Sequence, residues 1–464
     1  MKHVLFTIFG ATGNLMYKKL LPALYHLKIQ NRLPEDTKII CIGRKDFTTE
    51  SYIEDARSRV NGSVNWDVLG DILLYYKMEI TNSNDYTILN EYIKQNCAPK
   101  LDAKIFYLST APNFFPIIAK GISDAGLVSR NDGISRVIFE KPFGEDLSSA
   151  KMYNELMNQY FDESQIYRID HYLGKEMIRN ILVVRFANRV FEDIWSNKGI
   201  ESVKIVVKET EGILSRGEYY DAAGALRDMV QSHMMQMISL IAMEPPMNFD
   251  TDELRDEKVK VIDKLSCCPM DLNNIIIGQY KGYLQEKNVK QNSSTETFVF
   301  IKAKIDNERW SGVPFYLITG KKLDEKKSEI VITFKDNSSA YKKWKPGSIM
   351  KNQLIIRVAP NDGISFQINT KLPGLQMDVA PTVMDYCHSC QAIGNLPEAY
   401  ERLILDMIEG NTIQFTRWDE IETSWKFIDD IKTKSNLEQK SLILYETYQE
   451  LANIIEKEYG VKFE

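Results

Sequence analysis

The stretch Tyr167–Lys175 brings an acid, a histidine and a lysine together in the sequence YRIDHYLGK. We expect a helix to begin near Tyr172, so that His171 and Lys175, four positions apart, project from one face. Together with the free N–H groups of the helix N-terminus, they would bind a dianion such as a phosphate ester. Asp170 would point the opposite way from an extended entry to the helix. A capped helix start with a solvated charge pair is the alternative that this stretch alone leaves open.

The sequence GATGNL at 10–15 follows an apolar run and precedes a segment with helical periodicity. Glycine permits a sharp turn at the end of a strand and lets the backbone approach a pyrophosphate, whose charge then lies at the helix N-terminus. A second apolar run at 38–43 completes a βαβ start and hence a parallel sheet. A plain strand-to-helix turn is the alternative. We predict a dinucleotide-binding loop formed by Gly10, Ala11, Thr12, Gly13, Asn14 and Leu15.

Two cationic residues follow or end strands of this sheet. Arg44 follows the second strand, where an NAD-specific site carries an acid, whereas an arginine there can bind a 2′-phosphate in a bidentate, charge-assisted contact. Lys141 lies in the sequence EKPFG, where Pro142 restricts the lysine backbone at the carboxyl end of a late strand. We predict NADP as the cofactor and Lys141 as a residue that meets both cofactor and substrate. A surface arginine and an ordinary strand exit are the alternatives.

A second group of acids and bases follows later in the chain. The segment Ala222–Met243 carries an apolar stripe at helical spacing, and His233 falls on or beside that stripe. A histidine in this position is either a core residue or a base. Asp228 on the same helix and Glu209 at the end of a preceding strand indicate a polyol ligand, because carboxylates accept hydrogen bonds from hydroxyl groups.

The length and charge of the chain limit its class and its partners. With 464 residues, of which 44% are hydrophobic and 26% charged, it is an ordinary globular chain with room for two domains. The net charge of −6 and the pI near 5.7 argue against nucleic acid or an anionic membrane as the main partner, so an anionic ligand needs a local positive cluster. The basic loop 320–327 would either add Lys321 and Lys326 to such a cluster or form solvated surface.

The cysteines and the N-terminus favour a cytoplasmic protein. Six cysteines are too sparse for a disulfide framework in a chain of this length, which favours a reducing compartment. Cys387 and Cys390 have the CxxC spacing of redox and zinc sites, but no second ligand pair is evident and we predict no metal. The first residues are typical of a strand and not of a signal peptide, and no stretch has the apolar length of a membrane span.

The order of the apolar segments predicts two domains. In residues 1–172 strands alternate with helices, which predicts an α/β, Rossmann-like doubly wound domain that binds NADP. In residues 173–464 strand-like segments follow one another without regular helical spacers, which predicts an α+β domain with a large, mainly antiparallel sheet. The segments that carry this second prediction are 202–210, 297–305, 330–334, 354–359 and 364–369.

Taken in order, these motifs resemble the glucose-6-phosphate dehydrogenase family. The resemblance runs from Phe9 to about Asp430 and is carried by GATGNL, IGR at 42–44, EKPFG, RIDHYLGKE, KETEG, YYDAAGALRDMVQSHMMQ, ERWSGVPFYLITGKKL and PEAYERLILDMIEGN. It implies the NADP-dependent oxidation of D-glucose 6-phosphate to 6-phospho-D-glucono-1,5-lactone, which begins the oxidative pentose phosphate pathway. It also implies a homodimer or homotetramer that associates through the sheet of the second domain.

The same resemblance assigns roles to individual residues. It implies His233 as the general base and Asp170 as the carboxylate that orients and stabilises the protonated ring. It also implies a cis peptide bond between Lys141 and Pro142. The remaining implied roles are phosphate binding by His171, Tyr172 and Lys175, further substrate contacts by Lys321 and Lys326, sugar-hydroxyl binding by Glu209 and Asp228, a contact of Lys141 with both sugar and cofactor, and cofactor binding by Arg44 and the loop Gly10–Leu15.

Some positions depart from the family pattern, and two rival functions follow from the residues. Asn14 stands where an aspartate is usual, Met16 and Tyr17 are bulky, and Ile318 stands where an arginine is common. One rival is a dehydrogenase of unphosphorylated sugars, which the phosphate-type cluster opposes. The other is a nucleotide-binding regulatory or structural protein without catalysis, which the presence of the base and its carboxylate opposes.

Overall fold

The computed structural model describes residues 1–60, 64–267, 274–336, 349–391, 398–434 and 442–461. The chain divides into two compact units. The first comprises Met1–Gly174 and Pro397–Glu422, and the second comprises Lys175–Leu396 and Thr423–Glu464. The segment Pro397–Glu422, which the sequence predicts to lie in the second domain at 173–464, thus groups with the first unit.

Long-range contacts explain why this returning segment groups with the first unit. The guanidinium group of Arg136 donates to the carbonyl oxygen of Met407 at 2.7 Å. The short strand Phe415–Thr416 pairs antiparallel with Ile166–Ile169. Leu403 and Met407 are buried in a hydrophobic core of the first unit. These partners lie far apart in the chain, so no local pattern predicts the return.

A seven-stranded sheet forms the centre of the first unit. Its strands are β1 (His3–Phe9), β2 (Asp36–Gly43), β3 (Leu73–Lys77), β4 (Ala103–Leu108), β5 (Ser135–Phe139), β6 (Ile166–Ile169) and β16 (Phe415–Thr416). Their order is β16-β6-β5-β4-β1-β2-β3, and the neighbours are parallel except β16, which runs antiparallel to β6. The prediction of a doubly wound α/β sheet is confirmed.

Both faces of this sheet are covered by apolar side chains. Along β1, Val4, Phe6 and Ile8 belong to one core, whereas Leu5 and Phe9 belong to the core on the other face. Such two-sided burial is typical of a parallel sheet between helices. The helices of this unit are α1 (Leu21–Ile29), α2 (Thr49–Arg59), α3 (Trp66–Gly70), α4 (Ser83–Asn96), α5 (Phe115–Asp124), α6 (Leu147–Tyr160) and α13 (Ala399–Glu409).

A ten-stranded sheet forms the centre of the second unit. Its strands are β7 (Ile200–Lys208), β8 (Leu265–Cys267), β9 (Ile275–Tyr280), β10 (Phe298–Ile305), β11 (Phe315–Gly320), β12 (Lys327–Phe334), β13 (Gln353–Ala359), β14 (Gly363–Lys371), β15 (Val379–Cys387) and β17 (Ile443–Tyr445). The order is β15-β14-β13-β12-β7-β11-β10-β9-β17, with β8 beside β10. The pairs β7–β11 and β9–β17 are parallel and the other pairs antiparallel, so the prediction of a mainly antiparallel sheet is confirmed.

The helices of the second unit accompany this sheet. They are α7 (Glu176–Phe186), α8 (Arg189–Glu192), α9 (Gly217–Ala225), α10 (Met235–Ala242), α11 (Thr251–Asp263), α12 (His388–Gln391) and α15 (Tyr448–Tyr459), while α14 (Trp418–Lys434) begins in the returning segment and continues into this unit. Among the described helices, none combines the length and the apolar character needed to cross a bilayer.

Candidate active site

The glycine loop lies at the carboxyl end of β1, where doubly wound sheets bind their ligands. Gly10 has a φ of 83°, and a Cβ there would clash with the Ser109 carbonyl group. The N–H groups of Gly10 and Ala11 donate to the Ile42 carbonyl oxygen at 3.1 and 2.9 Å. Position 10 therefore requires glycine, and the turn provides the exposed backbone that a pyrophosphate can approach.

The other residues of the loop differ in exposure. Ala11 is buried, and its carbonyl oxygen accepts a hydrogen bond of 2.9 Å from a buried tyrosine hydroxyl. Thr12 and Gly13 are partly exposed and Asn14 is exposed, while Leu15 is partly buried in the first helical turn. Backbone and polar groups of this loop therefore face solvent, which fits a dinucleotide.

Three of the residues that differ from the family pattern are core residues. Met16, Tyr17 and Ile318 are 0, 2 and 0% exposed. Met16 and Tyr17 pack in a core of the first unit, and the Tyr17 hydroxyl donates to the Asp55 carboxylate at 2.8 Å. Ile318 lies inside β11 among apolar side chains. The bulk at these positions is therefore accommodated by the core.

Arg44 is exposed directly after β2. The neighbouring Lys45 forms contacts within the protein: its Nζ lies 4.0 Å from the Asp55 carboxylate and 5.2 Å from the Phe47 ring centroid. Arg44 is therefore the cation of this pair that is open to an anionic ligand.

The EKP segment begins immediately after β5 and contains a cis peptide bond between Lys141 and Pro142. The Glu140 carboxylate accepts hydrogen bonds from the hydroxyl groups of Tyr107 at 2.5 Å and Tyr400 at 3.2 Å. Burial raises the pKa of Glu140, the charge of Lys141 lowers it, and the charge of Asp170 raises it further. Lys141 and Asp170 thus lie in one electrostatic environment at this edge of the sheet.

The stretch after Asp170 forms a turn and not a helix. Asp170 is 3% exposed at the end of β6, and its carboxylate accepts the Tyr172 N–H at 2.9 Å. The helix begins only at Glu176, with Lys175 as its N-cap. The Leu173 N–H also donates to the Asp170 carbonyl oxygen at 3.0 Å, which closes a single turn. The prediction of a helix from Tyr172 with His171 and Lys175 on one face is therefore wrong.

The turn is fixed by close packing within the first unit. A Cβ on Gly174 would lie 2.7 Å from the Ala399 carbonyl oxygen, so a larger residue has no space there. His171 is partly exposed, and its ring centroid lies 5.1 Å from that of Tyr172 in an edge-to-face contact. Tyr172 is 8% exposed. The turn therefore presents the His171 ring at the surface of this unit.

The helix predicted over Ala222–Met243 is broken near its start. It begins earlier, at Gly217, and is interrupted at Gly224, where φ is 66° and ψ is 177°. The Glu296 carboxylate accepts the Leu226 N–H at 3.0 Å and occupies the space that a Cβ on Gly224 would need. The break lies at a glycine, the residue type that adopts this backbone without strain, whereas the carboxylate that binds the next N–H group comes from a distant segment.

A wide helical segment after the break carries two candidate site residues. Leu226–Met234 has π-helical geometry, which occurs frequently at functional sites. His233 is 1% exposed and Asp228 is 5% exposed. The Tyr219 hydroxyl donates to Asp228 at 3.2 Å. The segment therefore holds a base and an acid in a largely buried setting.

The second unit also brings Glu209 and Lys321 together. Lys321 is 3% exposed, forms an ion pair with the Glu209 carboxylate and lies 5.1 Å from the Tyr220 ring centroid. Burial and then the charges of Asp228, Glu296 and Glu209 raise the pKa of Tyr220 well above its usual range. Three carboxylates and a lysine thus lie near one tyrosine. Lys326 is exposed just before β12 and joins this group through no hydrogen bond or ion pair among the described residues.

Several residues of the site have no counterpart in the sequence predictions. Glu140 belongs to the EKP motif, but its hydroxyl partners Tyr107 and Tyr400 are distant in the chain. Tyr219 precedes Asp228 by more than two helical turns and is adjacent only because Gly224 breaks the helix. A carboxylate next to the lysine of the EKP motif was the available signal for Glu140, whereas the tyrosines carry none.

Most of the chain matches two family models. Residues 7–180 match the glucose-6-phosphate dehydrogenase NAD-binding domain, and residues 182–456 match the glucose-6-phosphate dehydrogenase C-terminal domain. The chain is 40% identical over 440 residues to the glucose-6-phosphate 1-dehydrogenase of Bacillus subtilis, covering 91% of this chain and 90% of that protein.

Solved structures agree with these matches. A glucose-6-phosphate dehydrogenase in complex with its substrate glucose-6-phosphate superposes with a TM-score of 0.90 at 35% identity, covering 100% of this chain and 99% of that chain. The glucose-6-phosphate 1-dehydrogenase of Mycobacterium avium superposes with a TM-score of 0.83 at 31% identity, covering 96% and 94% of the two chains.

Fold, glycine loop and family models together define an oxidoreductase that uses a nicotinamide cofactor. The chain belongs to the glucose-6-phosphate dehydrogenase family. The resemblance found in the motifs is therefore confirmed.

Proposed function

We propose that this protein oxidises D-glucose 6-phosphate to 6-phospho-D-glucono-1,5-lactone with NADP, the first step of the oxidative pentose phosphate pathway. The observation that carries the proposal is the full-length likeness, at a TM-score of 0.90, to a glucose-6-phosphate dehydrogenase bound to that substrate. The test is turnover: reduced nicotinamide must form from glucose 6-phosphate and not from glucose.

The residues of the second unit supply most of the sugar recognition in this proposal. Glu209 and Asp228 accept hydrogen bonds from the sugar hydroxyls, and Lys321 donates to the substrate beside them. Their gathering around Tyr220 supports a polyol ligand. Lys321 forms an ion pair with Glu209, so both side chains of this pair would contact the sugar hydroxyls.

The phosphate is assigned to cationic and polar groups from the DHYLGK stretch. His171 and Tyr172 belong to the surface turn of the first unit, and Lys175 is the N-cap of α7 in the second unit. The N–H groups at the start of α7 add a partial positive charge. Lys326 is exposed and adds long-range positive charge.

His233 is assigned as the general base that takes the proton from the 1-hydroxyl group as hydride leaves C1. Asp170 keeps the role of the carboxylate that stabilises the protonated imidazole ring. Burial of His233 to 1% exposure and of Asp170 to 3% supports these roles, because charge interactions strengthen where water is excluded.

The nicotinamide cofactor, when bound, supplies the acceptor for the hydride. Gly10–Leu15 would hold its pyrophosphate, since the loop offers backbone where a side chain would clash. Lys141 would contact both cofactor and sugar from the end of β5. The exposed guanidinium of Arg44 would bind the 2′-phosphate, which favours NADP over NAD.

Replacing Arg44 by alanine is expected to raise KM for NADP by about 10- to 100-fold and leave KM for NAD nearly unchanged. The physical reason is the loss of a charge-assisted contact that NAD cannot make, worth about 1.5–3 kcal/mol. Initial rates at varied cofactor concentration measure both constants. Lys45→Ala is the matched control, and a preference for NADP that survives in Arg44→Ala but not in Lys45→Ala would move the recognition to Lys45.

We also propose a cytoplasmic homodimer or homotetramer that associates through the sheet of the second unit. Val383 and Met384 on β15 are 55 and 51% exposed, and Leu375 in the turn before it is fully exposed. Exposed apolar side chains on a sheet edge favour association. Sedimentation velocity of the purified chain measures its state, and a monomer at micromolar concentration would contradict the proposal.

A further inference from the structure

Two buried tyrosines of the first unit make polar contacts to which the proposed function gives no role. Tyr52 lies on α2 and Tyr75 on β3, and the two side chains are 0 and 6% exposed. Their rings stack with the centroids 4.9 Å apart. Each buried hydroxyl group needs a hydrogen-bond partner, because an unsatisfied polar group in a core is costly. Both partners are backbone carbonyl oxygens in segments that the proposed function assigns to the cofactor.

The Tyr52 hydroxyl group is bonded to the glycine loop. It donates to the Ala11 carbonyl oxygen at 2.9 Å. Ala11 is buried, and its N–H group donates to the Ile42 carbonyl oxygen at 2.9 Å. Both backbone polar groups of Ala11 are thus bonded inside the first unit. The backbone of the loop is therefore fixed directly before Thr12 and Gly13, which are partly exposed.

The Tyr75 hydroxyl group is bonded to the turn that follows Arg44. It donates to the Lys45 carbonyl oxygen at 2.9 Å, and the same oxygen accepts the Phe47 N–H at 3.0 Å. The Phe47 ring packs edge-to-face on the Tyr75 ring at a centroid distance of 5.6 Å. A hydrogen bond and a ring contact thus hold the turn directly after Arg44 against β3.

Gly43 shows how closely the two cofactor segments approach each other. A Cβ at this position would lie 2.7 Å from the Tyr75 hydroxyl oxygen and 3.2 Å from the Thr12 methyl carbon. Glycine before Arg44 therefore leaves room for both groups at the end of β2. Burial raises the pKa of Tyr52 well above its usual range and that of Tyr75 to about 12, so both hydroxyl groups keep the proton that they donate.

We propose that Tyr52 and Tyr75 are positioning residues for the cofactor and that each acts on a different part of it. Tyr52 fixes the glycine loop, which would contact the pyrophosphate that NADP and NAD share. Tyr75 fixes the turn beside Arg44, which would contact only the 2′-phosphate of NADP. The inference rests on the cofactor roles proposed above for the glycine loop and Arg44, and it identifies side chains that hold both in place.

The experiment measures KM for NADP and for NAD, at saturating glucose 6-phosphate, in the variants Tyr52→Phe and Tyr75→Phe. Each substitution removes one hydroxyl group and keeps the ring. We expect Tyr75→Phe to raise KM for NADP by about three- to tenfold, the effect of one buried hydrogen bond, and KM for NAD by less than about twofold. Tyr52→Phe should raise both constants by about three- to tenfold. In both variants kcat should stay within about twofold, because no group at the reacting carbon is changed.

Thr37→Val is the matched control for the loss of a buried hydroxyl group. Thr37 is 1% exposed, and its hydroxyl donates to the Pro34 carbonyl oxygen at 2.8 Å near the amino end of β2, the end opposite Arg44. This variant should have a lower melting temperature and unchanged KM for both cofactors. If Tyr52→Phe and Tyr75→Phe behave in the same way, they are core residues only and the proposal is overturned. An equal rise of KM for NADP and NAD in Tyr75→Phe would contradict the separate roles.

The double variant Arg44→Ala/Tyr75→Phe separates positioning from a general loss of order. If Tyr75 acts through Arg44, the double variant should have a KM for NADP within about twofold of that of Arg44→Ala alone, because the two effects are coupled. Additive rises in KM would contradict the role of Tyr75.

The Arg44→Ala variant also distinguishes this inference from the proposed function. If its KM for NADP is unchanged, the assignment of the 2′-phosphate to Arg44 itself fails. If its KM for NADP rises but that of Tyr75→Phe does not, the assignment of Arg44 stands and the positioning role of Tyr75 alone is wrong.

Discussion

Replacing His233 by asparagine is expected to lower kcat by about 10²- to 10⁴-fold, the usual contribution of a positioned general base. Asparagine can keep a hydrogen bond at this buried position but cannot accept the proton of the 1-hydroxyl group. Because the phosphate and sugar contacts remain, KM for glucose 6-phosphate should change little. Stopped-flow or steady-state formation of reduced nicotinamide measures the loss.

A control on the adjoining helix α10 is needed, because His233 is only 1% exposed and a substitution there can disturb packing. Ser239→Ala, at a fully buried position of α10, removes a hydroxyl that donates to the Gln236 carbonyl oxygen at 2.9 Å. Ser239→Ala should shift the melting temperature without a comparable loss of kcat. A kcat of His233→Asn within threefold of the parent value would remove His233 from the role of base.

Replacing Lys175 by alanine is expected to raise KM for glucose 6-phosphate by about 10- to 100-fold, with a much smaller change in kcat. The lysine is proposed to contact the phosphate equally in the ground state and the transition state, so its loss removes uniform binding. A hydrogen bond to a charged group contributes about 1.5–3 kcal/mol, which sets the expected range. Initial rates at varied substrate concentration give both constants.

Lys457→Ala is the matched control, since Lys457 is an exposed lysine on the last helix of the second unit and belongs to no proposed contact. Its kinetic constants should equal those of the parent chain. The KM of Lys326→Ala for glucose 6-phosphate should lie between those of Lys457→Ala and Lys175→Ala, because Lys326 is exposed and its charge is screened. An unchanged KM in Lys175→Ala would mean that the phosphate is bound elsewhere.

The alternation of strands and helices and the glycine loop were predictable because they depend on local patterns. The apolar run of β1 and the turn at Gly10 follow from residue type and position, and the structure shows why glycine is required there. The strand β15 was not predicted, because it has no such local pattern. The middle residues of β15 are exposed on both faces, so the strand lacks the alternation of apolar and polar residues that reveals a half-buried strand.

The helix starts were wrong where the backbone makes a turn that the apolar pattern does not record. After Asp170 the Leu173 N–H closes a turn on the Asp170 carbonyl oxygen at 3.0 Å, and α7 begins only at Glu176. Gly224 adopts a positive φ that interrupts the helix before His233, and the distant Glu296 carboxylate accepts the Leu226 N–H of the segment that follows. The candidate site residues were chosen by their chemical types and not by their exact geometry, so their roles stay predictions.

The central claim is tested most directly by initial rates, followed as reduced-nicotinamide absorbance, for glucose 6-phosphate and for glucose, each with NADP and with NAD. We predict turnover only with the phosphorylated sugar, and faster turnover with NADP than with NAD. Equal rates with glucose would contradict the phosphate assignment and favour a dehydrogenase of unphosphorylated sugars. The absence of turnover with all four pairs would contradict catalysis itself.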